Sequence, residues 1–207
     1  MNQINYQKQL DKLIRTLEEE KQVPRLLIHS CCAPCSSYVL EYLSQYFGIT
    51  VFFYNPNIFP PEEYSKRAAE QERLIKELPA IHPISFQEGV YDPSQFDNCV
   101  KGFEHLKEGQ ERCYLCYELR LREAVSYARA NNFDYYTTTL TISPLKNAVK
   151  LNEIGTRIGA EYRVSYLPSD FKKRNGYKRS VELSTQYGLY RQDYCGCLFS
   201  KREREER

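Results

Sequence analysis

Eight cysteines are the residues of this chain whose spacing points most directly to chemistry. Seven of them fall into three groups, which are Cys31-Cys32 with Cys35, Cys113 with Cys116, and Cys195 with Cys197. Four thiolates from two paired groups can bind a tetrahedral zinc ion or a [4Fe–4S] cluster. Spacing alone does not choose between these metals, and a structural zinc site or unconnected buried thiols are equally open. Cys99 has no partner nearby in the sequence and is typical of a core residue.

The Cys195-Gly196-Cys197 motif indicates a different chemistry from the other two groups. A single glycine lets the chain bend so that the two sulfurs can approach each other. A disulfide across so small a ring is strained and therefore readily reduced, which suits electron transfer better than structural cross-linking. The alternative is that one of these sulfurs binds a metal and the other is incidental.

The first cysteine group lies at the end of a predicted strand. The apolar run from Leu26 to Ile28 stops at the cysteines, and a helix is predicted directly behind them. That helix shows the apolar spacing i, i+3, i+4 and i+7, carried by Val39, Tyr42, Leu43 and Tyr46. In an open α/β sheet, ligands bind at such strand-to-helix turns, outside the carboxyl ends of the strands.

The rest of the chain alternates short apolar strands with amphipathic helices. Strands are predicted over 25–29, 49–54, 81–86, 133–139 and 162–167, with Pro83 making the third one doubtful. A polar helix is predicted over 1–22, an irregular region over 87–112, and a charged tail, either a helix end or disordered, over 200–207. This order predicts an α/β fold in a single domain spanning 1–207, a Rossmann-like parallel sheet of about five strands with helices on both faces.

Composition places the chain in the ordinary range for a globular protein, with 42% hydrophobic and 27% charged residues. No stretch approaches the roughly 18 apolar residues of a membrane helix, and the N-terminus lacks the apolar core of a signal peptide. We therefore expect a cytoplasmic protein without membrane contact. In that reducing compartment, clustered cysteines indicate metal ligands or catalytic thiols.

The formal net charge of +2 is too small to indicate nucleic-acid binding by itself. A local cluster is more informative, because five of the eight residues from 172 to 179 are basic and the stretch follows the fifth predicted strand. Contact with phosphate groups is the functional interpretation, and a solvated loop is the alternative. The candidate RNA-binding residues are Lys172, Lys173, Arg174, Lys178 and Arg179.

Four sequence blocks together resemble the epoxyqueuosine reductase QueH family. They occur in the family's order and span about residues 26–199. They read HSCCAP at 29–34, CYLCYELR at 113–120, TTLTISPLKN at 138–147 and YRQDYCGC at 190–197.

The resemblance implies reduction of epoxyqueuosine to queuosine at the wobble position of tRNA, by two-electron removal of the epoxide oxygen and without cobalamin. It implies an electron donor that the sequence does not identify. It assigns a [4Fe–4S] cluster to Cys31, Cys32, Cys113 and Cys116, and a redox-active disulfide to Cys195 and Cys197.

The family is also associated with an additional mononuclear iron beside the cluster. Cys35 lies near a position where some members carry an aspartate. It is a candidate ligand for that second iron, or else inert.

The fold that the resemblance implies is related to the PP-loop nucleotide hydrolases of the HUP class. Those enzymes need a glycine-rich phosphate loop after the first strand, where this chain has Cys31-Cys32-Ala33-Pro34, so no use of ATP is expected. Two alternatives stay open at this point. One is a zinc-stabilised tRNA-binding protein, and the other is a PP-loop-like tRNA thiolation enzyme that requires ATP.

Overall fold

The computed structural model describes residues 4–206. Residues 1–3 of the predicted N-terminal helix and Arg207 of the charged tail lie outside the described residues. In chain order the elements are α1 (Tyr6–Glu19), β1 (Arg25–His29), α2 (Ala33–Leu43), β2 (Gly48–Phe53), α3 (Pro61–Glu77), β3 (Ile84–Glu88), α4 (Pro93–Cys99), α5 (Glu111–Ala130), β4 (Tyr135–Thr138), a 3-10 helix (Thr139–Ile142), α6 (Ala148–Tyr162), β5 (Ser165–Tyr166), α7 (Gly176–Gln186) and α8 (Leu198–Glu205).

The five strands form one parallel sheet in the order β3-β2-β1-β4-β5, which confirms the predicted fold class. β1 is central, with Leu27 opposite Thr50 of β2 and Tyr136 of β4. The chain builds outward from β1 to β3, then returns to β4 on the other side of β1. The turns after β1 and β4 therefore diverge at a topological switch point, where open α/β sheets bind ligands.

Alternating residues of β1 face opposite sides of the sheet, and both sides are covered. Leu26 and Ile28 pack in a cluster with apolar residues of α1, α2 and α3. Leu27 packs in a second cluster, with residues of α5 and α6. All three side chains are fully buried, as expected for a central parallel strand. None of the described helices is long and apolar enough to cross a membrane.

The structure corrects or narrows the predictions in several places. The third strand runs from Ile84 to Glu88 instead of 81–86, because its pairing with β2 begins only after Pro83. The region predicted as irregular contains α4, whose Asp92 side chain accepts the Ser94 amide hydrogen at the N-cap. The basic stretch is only partly a loop, since α7 starts at Gly176. The charged tail is helical through Glu205.

Gly159 lies where the backbone of α6 passes close to the chain entering β5. A Cβ atom there would lie 2.7 Å from the Val164 carbonyl oxygen and 3.2 Å from Tyr136 Cε1. Helix propensity alone would make alanine about 1 kcal/mol more favourable than glycine inside a helix. The Val164 carbonyl oxygen cannot move aside easily. The steric cost of an added methyl group should therefore exceed the gain in helix propensity.

We expect Gly159→Ala to lower the free energy of unfolding by about 1–3 kcal/mol, as measured by urea denaturation. Gly48→Ala is the matched control, because a Cβ atom at Gly48 would meet nothing within 4 Å. A Gly159→Ala protein as stable as the Gly48→Ala protein would show that α6 can shift away from the sheet.

Candidate metal and thiol site

The first cysteine group lies at the turn between β1 and α2. Cys32 is the N-cap residue of α2 in extended conformation, and Pro34 occupies the first turn. The sulfur atoms of Cys31, Cys32 and Cys35 lie within 4.8 Å of one another, with 3.9 Å between the first two. Within residues 4–206 no other group of three or more His, Cys, Asp or Glu side chains is this compact. The spacing fits the ligands of a single metal ion.

One thiol of this group holds negative charge most readily. Hydrogen bonds from the Cys31 and Cys35 thiols hold the pKa of Cys32 well below its usual range. Donating these hydrogen bonds raises the pKa of Cys31 and of Cys35. Of the three thiols, Cys32 therefore ionises most readily.

The second cysteine group lies on the first turns of α5. Cys113 packs against the apolar cluster that contains Cys31 and Cys32, and its sulfur accepts the Gly109 amide hydrogen at 3.2 Å. Cys116 is buried with Cys197 in a separate small cluster. Burial raises the pKa of Cys113 and raises that of Cys116 to about 12. Burial therefore favours the neutral form of both thiols in the absence of a metal.

Hydrogen bonds to its backbone carbonyls hold the third group, Cys195 to Cys197, in place. Gly196 has φ of +131°, a conformation that favours glycine, and its carbonyl accepts the Phe59 amide hydrogen at 2.8 Å. The Arg67 guanidinium donates to the Cys195 carbonyl at 3.1 Å. Both cysteines are thiols in this structure, and no disulfide joins any of the eight cysteines. The redox-active disulfide stays a prediction.

A cavity of about 320 Å³ connects these loops. Cys31 and Cys35 line it from the turn after β1, Lys146 from the loop after β4, and Cys195 from the C-terminal region. The Lys146 ammonium lies 2.9 Å from the Cys195 sulfur. The switch point of the sheet thus carries thiols from two distant parts of the chain in one cavity.

Two buried arginines lie beside the thiols, and Arg120 has no carboxylate partner among the described residues. Arg120 is 1% exposed, and its Nε donates to the Cys116 carbonyl at 3.2 Å. Arg67 is also 1% exposed and pairs with Glu63 at 2.7 Å. In both, the Nη2 atom has no hydrogen-bond partner among the described residues. The Cys31 and Cys116 thiols lie in the electrostatic environment of Arg120.

An unpaired buried guanidinium costs several kcal/mol unless an anion accompanies it. A metal centre held by several thiolates supplies such an anion. The described residues around the thiols therefore fit an anionic metal centre better than they fit four neutral thiols.

His29 is the last residue of β1, two positions before Cys31, and its role is structural. Burial lowers its pKa to about 4. Its Nε2–H donates to the Tyr54 carbonyl at 3.1 Å, and Nδ1 accepts from the Thr138 hydroxyl at 3.0 Å. A neutral histidine in this position holds the ends of β2 and β4 beside the cysteine turn.

The predicted RNA-binding residues do not form one uniform basic surface. Arg179 makes two hydrogen bonds to the Glu41 carboxylate, and Arg174 and Lys172 form ion pairs with aspartates. Lys173 and Lys178 are exposed and make no ion pair within residues 4–206. These two lysines are the members of the stretch most available to a partner.

Sequence reasoning missed Arg67, Arg120 and the role of Lys146. A signal for Arg120 was present, because it follows Cys116 by four residues and lies between Tyr117 and Leu121 on an apolar stretch of α5. A buried charge in such a position is a candidate for a functional contact. Arg67 carries no comparable signal, since it sits in a helix rich in charged residues.

Comparison with known proteins adds independent evidence. The family model described as "Epoxyqueuosine reductase QueH" matches residues 26–203. The chain belongs to the epoxyqueuosine reductase QueH family.

Relatives named epoxyqueuosine reductase QueH occur in several bacteria. The chain is 43% identical to the one from Streptococcus pyogenes serotype M1, over 95% of this chain and 78% of that protein. Identity to the Staphylococcus aureus (strain Mu50) member is 44%, over 95% and 84% of the two chains. Identity to the Thermotoga maritima member is 35%, over 88% and 93%. Each comparison covers most of both chains.

The buried charge on Arg120 predicts opposite effects of its removal on the stability of the metal-free protein and on iron binding. Arg120→Met should leave the metal-free protein equally stable or stabilise it by about 1–4 kcal/mol, since an uncompensated cation is removed. The same substitution should lower the ratio of bound iron to protein after anaerobic reconstitution. Urea denaturation and iron analysis check the two arms.

Arg112→Met is the matched control, because Arg112 is equally buried on α5 but is paired with Glu203 at 2.9 Å. It should destabilise the protein with and without metal. A large loss of stability for metal-free Arg120→Met would contradict the account and make Arg120 a purely structural residue.

Proposed function

We propose that this protein reduces epoxyqueuosine to queuosine in tRNA, the activity that the names of its relatives state for those proteins. The observation that carries the proposal is the meeting of cysteines from separate loops at the switch point, beside buried arginines with free donors. A protein that only bound RNA would have no need of so many thiols around one cavity.

We assign the cluster to the thiolates of Cys31, Cys32, Cys113 and Cys116. The four thiolates of a [4Fe–4S] cluster bind four different irons, so they need not be as compact as the ligands of one ion. When bound, the cluster would supply single electrons to the reaction. Cys35 stays the candidate ligand of an additional mononuclear iron, which would act as a Lewis acid on the epoxide oxygen. Its sulfur lies close enough to Cys31 and Cys32 for such a role.

The protein's own residues complete the balance of the reaction. Removal of the epoxide oxygen as water, leaving a carbon–carbon double bond, takes two electrons and two protons. Oxidation of the Cys195 and Cys197 thiols to a disulfide supplies both. An external dithiol of unidentified nature would then restore the thiols. This assignment needs neither cobalamin nor ATP, and omission of both should leave turnover unchanged.

The size and lining of the cavity also suit a nucleotide of the substrate tRNA. Its volume of about 320 Å³ can take the reacting part of one flipped-out nucleotide. Tyr177 lines the cavity and is 41% exposed, so an unpaired base can stack on its ring. Lys173 and Lys178 flank Tyr177 in the sequence, where they can contact phosphates of the anticodon loop.

Replacing a cluster ligand should abolish chemistry without unfolding the protein. We expect Cys113→Ser, after anaerobic iron reconstitution, to produce queuosine at less than about one hundredth of the parent rate, since an incomplete ligand shell loses the metal. The measurement is anaerobic incubation with epoxyqueuosine-containing tRNA and a reductant, followed by mass spectrometry of the nucleosides.

Cys99→Ser is the control, because the only hydrogen bond of this half-buried thiol within residues 4–206 goes to the Leu115 carbonyl, at 3.6 Å, and the variant should retain activity. Full activity of Cys113→Ser would remove α5 from the proposed ligand set. No queuosine from the parent protein under these conditions would overturn the proposed function itself.

The two unpaired lysines generate a test of tRNA contact. We expect the double variant Lys173→Ala, Lys178→Ala to bind tRNA more weakly and to reduce the slope of log K against log salt by about two, one for each lost phosphate contact.

Lys76→Ala is the control, since Lys76 lies in the last turn of α3, at the opposite end of the sheet from the cavity. Binding is measured by fluorescence titration at several salt concentrations. An unchanged slope for the double variant would place the tRNA surface elsewhere.

A further inference from the structure

The two sulfurs of the Cys195–Cys197 pair have different surroundings. Cys195 is partly exposed, lines the cavity and lies 2.9 Å from the Lys146 ammonium. Cys197 is 7% exposed and does not line the cavity. It packs instead beside Phe96, Val100 and Cys116. A reagent entering the cavity therefore meets Cys195 first.

The two sulfurs also differ in what stabilises their charge. Lys146 makes no ion pair with a carboxylate within residues 4–206, and its ammonium donates to the Cys195 sulfur. Cys197 is the N-cap residue of α8 and accepts the Ser200 amide hydrogen at 3.4 Å. Cys197 is nevertheless buried, mostly among apolar side chains. An ammonium in direct contact favours a thiolate more than a long hydrogen bond in an apolar pocket does.

We propose that Lys146 gives this pair a fixed direction, in which Cys195 exchanges electrons with the external dithiol and Cys197 is the buried resolving thiol. Lys146 acts here as a positioning residue through Cys195. The inference deepens the proposed function and rests on the pair being redox-active. It also assigns a role to the lysine in the loop after β4, which the cluster chemistry does not use.

The regeneration of the pair can be written with all atoms and electrons. A thiolate of the dithiol attacks the Cys195 sulfur, the Cys195–Cys197 bond breaks, and the electron pair stays on Cys197. The second sulfur of the dithiol then attacks the first one and displaces Cys195 as a thiolate beside the Lys146 ammonium. The dithiol leaves as a disulfide, and its two protons are available to the pair. A stabilised thiolate is the better leaving group, which makes the second step fast.

Site-resolved alkylation tests the direction of the pair. Iron-reconstituted, reduced protein is treated anaerobically with limiting iodoacetamide, and peptide mass spectrometry gives the rate at each cysteine. We expect Cys195 to react about tenfold or more faster than Cys197. Lys146→Met should slow alkylation of Cys195 about tenfold and leave that of Cys197 unchanged, since the ammonium that favours the reactive thiolate is lost.

Two further variants separate charge from packing. Lys146→Arg keeps the positive charge and should restore most of the Cys195 rate, which a merely structural lysine would not require. Lys150→Met is the control, because Lys150 is an exposed residue of α6 paired with Glu153, and it should behave as the parent. Equal rates for Lys146→Met and the parent, or faster alkylation of Cys197, would overturn the inference.

A second measurement traps the first exchange step. Oxidised protein is treated with glutathione, and the mixed disulfide is located by mass spectrometry. We expect it on Cys195, and a mixed disulfide on Cys197 would overturn the direction. Both measurements omit tRNA, so they succeed or fail independently of whether the protein reduces epoxyqueuosine. Failure of the pair to oxidise at all would refute both the inference and the proposed electron relay, while leaving the cluster assignment standing.

Discussion

The arrangement of this site depends on two guanidinium groups buried among thiols. Arg67 and Arg120 each have a donor without a partner among the described residues, although both side chains are almost fully enclosed. Among the described residues only Arg67 has a carboxylate partner, Glu63. An anion is the natural complement, and thiolates bound to metal provide one at this position. The negative charge of the metal-bound cysteines would thus compensate the positive charge of the buried arginines.

The sheet topology brings that unit together. β1 lies in the middle of the sheet, so the turn that follows it is flanked by the turns after β2 and β4. The turn after β1 carries the first cysteines and the loop after β4 carries Lys146. α5 approaches from the other face with Cys113 and Cys116. The C-terminal region forms another wall of the cavity. The ion pair of Arg112 with Glu203 attaches α8 to α5. This attachment keeps Cys197 beside Cys116.

Local patterns predicted much of this architecture from the sequence. The strand from Arg25 to His29 was predicted with its correct ends, because a continuous apolar run before a cysteine turn has few other interpretations. The parallel sheet followed from the alternation of strands and helices. α4 was missed although Asp92 and Pro93 form an ordinary helix start, since the apolar spacing that follows is too short to recognise.

For the site, the sequence predicted which residue types could bind a metal but not the charged residues that surround them. Cysteine spacing identified the three groups, and the structure brings Cys31 and Cys195 to one cavity. Charge balance is not local in sequence, so the contact of Lys146 with Cys195, 49 residues away, could not be predicted. The same holds for the basic stretch from 172 to 179, where the partners of Arg174 and Arg179 are Asp11 and Glu41, more than 100 residues earlier. Pairing across the chain decides which cations are free to bind RNA.

The most direct test of the central claim is the nature of the metal that these thiols hold. The protein is purified anaerobically from cells grown on ⁵⁷Fe, and iron, zinc and acid-labile sulfide are quantified together with the Mössbauer spectrum. The account predicts about four irons and four sulfides per chain in a [4Fe–4S] spectrum, with any further iron as a separate signal. Colourless protein containing stoichiometric zinc and no sulfide would contradict it, and would leave a zinc-stabilised RNA-binding protein in its place.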